Sequence, residues 1–272
     1  MSGMVPVLSL IGMVFALAVS IALPLGLFVY FRRAKGADPA AFIAGCAVMI
    51  LFAFVLEALV HRIVLASPAG TAILENVWLY GLYGGAMAAL FEESGRYIAF
   101  RTVLRGRRDK DVNALMYGAG HGGIEAFVIL GNASINNLIY SVLINTGNTA
   151  VLTGPLSGEL LEQAETGIQA MISTPSWLFL LGGVERIFAV ILQISLSVPV
   201  WFAAKQKGLR YLLPAAMLIH LTVDAVTAVL NGLNVPAPLI ELLVAVFAAA
   251  AACIARKIWK EQAAQTPASP EC

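Results

Sequence analysis

Residues 112–131 read VNALMYGAGHGGIEAFVILG, an apolar run as long as the stretch of about 20 residues that an α-helix needs to cross a bilayer. The run nevertheless contains His121 and Glu125, although an ionisable side chain near the centre of an inserted helix costs about 2.5–3.5 kcal/mol. Residues four apart lie on the same face of a helix. The stretch therefore predicts a transmembrane helix whose polar pair has a partner or a task.

The rest of the chain has the composition of an integral membrane protein. Of its 272 residues, 60% are hydrophobic and 12% are charged, whereas an average soluble domain carries about 25% charged residues. We predict an all-α bundle of about seven transmembrane helices within a single domain at 1–262, followed by a disordered tail at 263–272. The spans are predicted near 5–31, 39–65, 76–100, 112–131, 176–203, 210–231 and 238–258.

Basic residues alternate along these spans. All of the 17 Lys and Arg residues except Arg62, Arg96 and Arg186 follow the first, third, fifth or seventh span. By the positive-inside rule, the amino terminus is predicted to lie outside and the carboxyl terminus in the cytoplasm. The net charge of +1 gives no indication of a nucleic-acid partner, so the predicted surroundings are the lipid bilayer.

One connection is long. Residues 132–175 contain several Asn, Gly and Pro residues and are predicted to lie between spans. The later part, from Glu159 to Met171, has the pattern of an acidic amphipathic helix at the membrane surface.

Two further ionisable motifs lie inside predicted spans, at a depth similar to that of His121. Each motif begins nine or ten residues from the basic end of its span, which corresponds to about 13–15 Å along a helix. These motifs are Glu92-Glu93-x-x-Arg96 and His220-x-x-x-Asp224. Because three helices bring carboxylates and imidazoles to one level, the sequence predicts a metal or acid–base site inside the membrane.

The spacing within the motifs suggests how such a site is built. His121 with Glu125, and His220 with Asp224, can each present two groups to one point. Imidazole nitrogens and carboxylate oxygens are ligands that zinc prefers, and a catalytic zinc keeps one position open for water.

Glu92 and Glu93 are expected to have different roles, because adjacent residues diverge by about 100° around a helix axis. One is expected to face the site as a general base or ligand, and the other to pair with Arg96 one turn away. The sequence does not decide which glutamate takes which role.

Other polar residues within the spans allow a structural explanation. His61 forms an i, i+4 pair with Glu57 near the outer end of the second span, where a solvated or interfacial role is favoured for the histidine. Glu185 and Arg186 are neighbours, so each is expected to find a partner on another helix, as a structural tie rather than a catalytic pair. Gln193 can donate and accept hydrogen bonds and is expected to reach the site.

The order EExxR, HGGxE, ER and HxxxD resembles that of the YhfC family of bacterial membrane peptidases, which is related to the PrsW-type proteases and the CAAX prenyl endopeptidases. The resemblance covers most of the chain and implies a multi-pass protein of the bacterial cytoplasmic membrane. It further implies that Glu92, Glu93, His121 and His220 are catalytic or metal-binding, with Glu125 and Asp224 in the same site.

The chain also departs from these groups at specific positions. Tyr117 and His121 match the aromatic-x-x-x-His motif of the CAAX enzymes, whereas Asp224 stands where those enzymes have Asn. Gln193 stands where YhfC-like sequences are expected to have a polar residue, often histidine. If that histidine binds metal in relatives, this chain binds metal less tightly.

These patterns lead to the hypothesis of an intramembrane metalloendopeptidase. Glu92 or Glu93 would activate a zinc-bound water, and Arg96 would fix the glutamate pair. The expected substrates are membrane-anchored or amphipathic peptide segments that enter from the cytoplasmic side or laterally from lipid. A proton- or ion-coupled transporter and a non-catalytic membrane scaffold are the alternatives, since buried His, Asp and Glu residues also serve transport.

Overall fold

A computed structural model describes residues 3–263 of the chain. These residues contain no β-strand, and the predicted all-α fold is confirmed. The tail predicted to be disordered lies, from residue 264 onward, outside the described residues. The helices are α1 Val7–Lys35, α2 Pro39–Leu65, α3 Pro68–Glu75, α4 Val77–Arg101, α5 Val112–Asn145, α6 Ala150–Thr153, α7 Glu159–Ser173, α8 Ser176–Lys205, α9 Leu212–Gly232 and α10 Ala237–Ala263.

Six of these helices are long and apolar enough to cross a membrane, namely α1, α2, α5, α8, α9 and α10. Helix α4 occupies the predicted third span and is 25 residues long, but it is not among the six described in this way. Its second half carries Glu92, Glu93 and Arg96, which lower its hydropathy. The chain is a multi-pass membrane protein, while the crossing of α4 and the orientation of the termini stay predictions.

Helix α5 differs from the prediction, since it continues to Asn145 instead of ending at 131. Apolar residues at helical spacing carry it through the segment that the asparagines marked as a connection. The side chain of Asn145 accepts a hydrogen bond from the backbone N–H of Val5 at 2.7 Å and donates one to the Val5 carbonyl at 3.1 Å. This asparagine therefore ties the end of α5 to the residues just before α1. The predicted amphipathic helix is present as α7, with Ile168 buried.

Polar side chains begin two of the helices. The Asp38 carboxylate accepts a hydrogen bond from the backbone N–H of Ala40 and so caps α2. That bond and the nearby Arg107 guanidinium lower the pKa of Asp38, which lies outside the spans. The side chain of Asn76 caps α4 by accepting hydrogen bonds from the N–H groups of Trp78 and Leu79.

The described chain divides into two compact units. The first unit comprises residues 3–23 and 126–187, and the second comprises residues 24–125 and 188–263. In the first unit, a buried cluster of Val5, Met13, Ile144 and Ile168 joins α1, α5 and α7.

Glycines bring the helix backbones of the second unit into close contact. A Cβ added to Gly120 of α5 would collide with the carbonyl oxygen of Phe42 in α2. One added to Gly118 would lie 2.5 Å from the Cα of Ile194 in α8, and one added to Gly85 of α4 would lie 2.6 Å from the Leu221 carbonyl oxygen in α9. Small residues permit this approach between membrane helices. They draw the helices that carry the ionisable motifs together.

The end of the second unit that carries the basic connections is filled by aromatic rings and polar contacts. Phe100 packs edge-on against Tyr117, with ring centroids 4.6 Å apart, and against Trp201, with centroids 5.0 Å apart. All three side chains are fully buried. Beyond them, the Asp111 carboxylate accepts hydrogen bonds from Trp201 Nε1 at 2.8 Å and from Lys205 Nζ at 2.6 Å.

We expect Gly120→Ala to lower the thermal stability of the detergent-purified protein, because the new methyl group would push α5 away from the α2 backbone. The expected cost is about 1–3 kcal/mol, as for other overpacked sites. Gly84→Ala is the matched control, since a Cβ there meets nothing within 4 Å and alanine favours the helix. Equal melting temperatures for the two variants would contradict the close packing of α2 on α5.

Candidate functional site

The centre of the candidate site is the carboxylate of Glu92, which is buried on α4. Its Oε2 atom lies 2.8 Å from Nε2 of His121 on α5 and 3.9 Å from Nε2 of His220 on α9. The same oxygen accepts a hydrogen bond of 2.9 Å from the side-chain amide of Gln193 on α8. Four helices of the second unit therefore meet at one carboxylate oxygen.

Glu93 has different partners, as helix geometry predicts for adjacent residues. Its Oε2 accepts a hydrogen bond of 3.0 Å from Arg96 Nη1, and its Oε1 lies 2.8 Å from Nδ1 of His220. The side chains of Glu93 and Arg96 are both fully buried. Glu93 therefore pairs with the guanidinium and also orients the imidazole of His220.

Gln193 joins the two halves of this network. Its Oε1 accepts a hydrogen bond of 2.5 Å from Arg96 Nη2. Its Nε2 donates to Glu92 Oε2 and to Glu125 Oε2, each at 2.9 Å. A neutral amide suits this position because it presents an acceptor to the cation and a donor to two carboxylates.

The remaining carboxylates lie one turn beyond the imidazoles. Asp224 Oδ2 is 3.4 Å from His220 Nε2, and the Asp224 side chain is 36% exposed. Glu125 is only partly buried and reaches the network through Gln193. The structure thus brings Glu92, Glu93, Arg96, His121, Glu125, Gln193, His220 and Asp224 together in the second unit.

The donor chemistry of the site fits zinc, but the side chains as placed form a hydrogen-bonded network. No group of three or more His, Cys, Asp or Glu side chains within residues 3–263 is arranged as a ready metal site. The Nε2 atoms of His121 and His220 nevertheless approach the same oxygen of Glu92. Two imidazole nitrogens beside carboxylates are a ligand set that zinc accepts.

Tyr117 supports His121 from one turn away. The two rings stack, with centroids 5.9 Å apart and planes 30° apart. The Tyr117 hydroxyl and Nδ1 of His121 are buried, and neither has a hydrogen-bond partner among the described residues. A metal-binding imidazole usually donates its second N–H to a polar partner, and Nδ1 of His121 has no such partner among the described residues.

Glu57 was not predicted to belong to the site, because the interfacial role was expected for its partner His61, which is 31% exposed. Glu57 is buried at the end of a π-helical stretch, Met49–Glu57, and its carboxylate interacts electrostatically with Glu92, His220 and Asp224. Such stretches are frequent at functional sites. The only sequence signal was its i, i+4 spacing to His61, the spacing also seen in His121 and Glu125.

Glu185 and Arg186 lie in the first unit. Arg186 donates hydrogen bonds from Nε and Nη2 to the carboxylate of Glu185, and the expectation that each finds a partner on another helix stays a prediction.

Comparison with known proteins agrees with the order of the motifs. The family described as "YhfC intramembrane metalloprotease" matches residues 19–248. The "Uncharacterized membrane protein YhfC" of Bacillus subtilis (strain 168) is 39% identical over 237 residues, which cover 85% of this chain and 89% of that protein. No solved structure matches the chain. The family match includes every helix that contributes to the network around Glu92, and the chain belongs to the YhfC intramembrane metalloprotease family.

Proposed function

We propose that this protein hydrolyses peptide bonds of membrane-anchored or amphipathic segments at the site around Glu92. The observation that carries the proposal is the approach of two imidazole Nε2 atoms to one buried carboxylate oxygen, at 2.8 and 3.9 Å. A purely structural carboxylate would be satisfied by one such partner and Gln193. The family name, which describes a metalloprotease, supports the same chemistry.

Zinc is the proposed cofactor, with His121, His220 and Asp224 as the residues that would hold it through Nε2, Nε2 and the carboxylate. When bound, zinc lowers the pKa of a coordinated water and polarises the scissile carbonyl. Glu125 is proposed to contribute through Gln193, whose amide donates a hydrogen bond to the Glu125 carboxylate.

Glu92 is the proposed general base. Its Oε2 faces both imidazoles and would take a proton from the attacking water. As the water oxygen bonds to the carbonyl carbon and the carbon–nitrogen bond breaks, Glu92 would return that proton to the leaving nitrogen. Gln193 holds the carboxylate of Glu92 in place, since its amide donates to the oxygen that faces the imidazoles.

Glu93 and Arg96 are proposed to position the reacting groups. Glu93 fixes His220 through Nδ1, which leaves Nε2 directed at Glu92 and Asp224. Arg96 compensates the charge of Glu93 and, through Gln193, orients Glu92. A carboxylate that orients a ligating imidazole is a recurrent feature of zinc sites.

We expect Glu92→Gln to abolish hydrolysis of a membrane-anchored test peptide while the protein stays folded and binds zinc. Loss of a general base costs about 10²–10⁴-fold in rate. The measurement is turnover in detergent or liposomes, with zinc content and size-exclusion profile as controls.

Glu93→Gln is expected to retain more activity than Glu92→Gln but to lose stability and zinc affinity, because it leaves Arg96 buried without its carboxylate. Breaking one partner of a buried ion pair costs about 3–5 kcal/mol. Equal residual turnover in the two variants, with equal melting temperatures, would contradict the division of roles.

We expect the purified protein to hold one zinc ion per chain, and His121→Ala and His220→Ala each to lose it, as measured by elemental analysis. His61→Ala is the matched control, because it removes the third histidine of the chain without touching the proposed ligands. A wild type without metal, together with proton uptake into liposomes that both site variants abolish, would support the coupled transporter instead.

A further inference from the structure

Several contacts identify which helix ends lie together at one end of the second unit. Asn113, at the start of α5, accepts a hydrogen bond from the backbone N–H of Asp38 before α2, and Asp38 binds Arg107. The carboxyl end of α8 reaches the same place through Lys205 and Asp111. We call this the basic end of the second unit.

The contacts made by glycines show in which direction each helix runs relative to its neighbour. Gly118 of α5 packs against Ile194 of α8, and Gly122, one turn on, packs against Gln193 and Val190, so α5 and α8 are antiparallel. By the same criterion α4 and α9 are antiparallel, since Gly85 meets Leu221 and Gly81 meets Val229. Residues early in α4 and late in α2 and α9 therefore lie towards the opposite end of the second unit.

The side of the site that faces the basic end is closed. Arg96, Glu93 and His121 are fully buried, and the aromatic layer of Phe100, Tyr117 and Trp201 lies next to them. Further out, the Arg108 guanidinium donates a hydrogen bond to the carbonyl oxygen of Ala204. These side chains fill the part of the site that faces the basic end.

The opposite side is polar and increasingly exposed. His61 Nδ1 lies 2.8 Å from the Tyr83 hydroxyl, and His61 Nε2 lies 3.1 Å from Glu57 Oε1. The side chain of Glu57 is 10% exposed and that of His61 is 31% exposed. Tyr83 precedes Glu92 by nine residues, which places it about 13 Å further along α4. Asp224, one turn beyond His220 on α9, has a side chain that is 36% exposed.

From this gradient we infer that substrate reaches Glu92 from the end of the second unit opposite to the basic end, through a polar mouth formed by Glu57, His61, Tyr83 and Asp224. The occupant is an extended peptide segment exposed on that face of the membrane. This inference rests on the proposed function for the nature of the occupant. It replaces the expectation that substrates enter from the cytoplasmic side, which was based on the depth of the motifs and not on what surrounds them.

Among the four residues of the mouth, Glu57 is the one that is buried. Its carboxylate is held by His61, which Tyr83 holds in turn, and it interacts electrostatically with Glu92 and His220. A lipid-facing carboxylate would be costly, whereas one that lines a water-filled path is not. The hydrogen-bonded chain therefore supports a hydrated entrance at this end.

The test is the reactivity of single cysteines toward a charged, membrane-impermeant maleimide in sealed vesicles of either orientation. The full-length chain first has Cys46, Cys253 and Cys272 replaced by serine. His61→Cys and Tyr83→Cys then report on the mouth. Leu82→Cys is the matched control, because Leu82 precedes Tyr83 on α4 and is 53% exposed although apolar. Gly106→Cys marks the face of the basic connections.

We expect the reagent to modify His61→Cys and Tyr83→Cys only from the face opposite to Gly106→Cys. Both should react about tenfold or more faster than Leu82→Cys, because a charged reagent does not enter hydrocarbon. Modification from the Gly106 face would overturn the inference, as would rates equal to that of Leu82→Cys. Two mouth positions are used so that the result does not depend on the folding of one variant.

The labelling does not depend on peptide hydrolysis, so the two proposals can fail separately. If the mouth is labelled but no peptide is hydrolysed, the inferred entrance stands and the proposed peptidase activity is contradicted. In an active preparation, modification of Tyr83→Cys should reduce turnover without loss of zinc. Full turnover after complete modification would contradict passage of the substrate through the mouth.

Discussion

The structure of the second unit depends on how two adjacent buried glutamates, Glu92 and Glu93, are stabilised inside a membrane protein. The guanidinium of Arg96 lies beside them. Arg96 donates to Glu93 directly and to the oxygen of Gln193, and the amide nitrogen of Gln193 then donates to Glu92. A buried carboxylate without such partners costs several kcal/mol. The charge of one arginine and the dipole of one amide therefore determine where α4 and α8 meet and which way both glutamates face.

This constraint explains why the close glycine contacts lie where they do. Gly120 brings α5 against α2, while Gly118 and Gly122 bring the same helix against α8. Glycine costs about 1 kcal/mol per residue in a helix relative to alanine, so three glycines in one turn and a half need a compensating gain. The gain is the short distance from His121 to Glu92, which larger residues at these positions would lengthen.

Much of this could be read from the sequence, because membrane helices have a fixed length and a fixed spacing. The apolar runs predicted the helices, and the i, i+4 pairs at one depth predicted that α4, α5 and α9 meet. Two features depend on three-dimensional contacts that spacing does not encode. The π-helical stretch Met49–Glu57 changes the direction of Glu57, and the double role of Gln193 follows from partners on two other helices.

Helix α4 carries the functional order of the site along a single element. Tyr83 lies at the mouth, Glu92 faces the imidazoles, Arg96 compensates charge one turn later, and Phe100 closes the path one turn after that. Residues four apart share a face, so Glu92, Arg96 and Phe100 form one continuous stripe. The reactive carboxylate lies at one end of this stripe, and the buried aromatic ring lies at the other. A peptidase inside a membrane must admit water and peptide to a buried carboxylate without opening a path across the bilayer. A polar entrance near one end of α4 and an aromatic plug near the other satisfy both requirements.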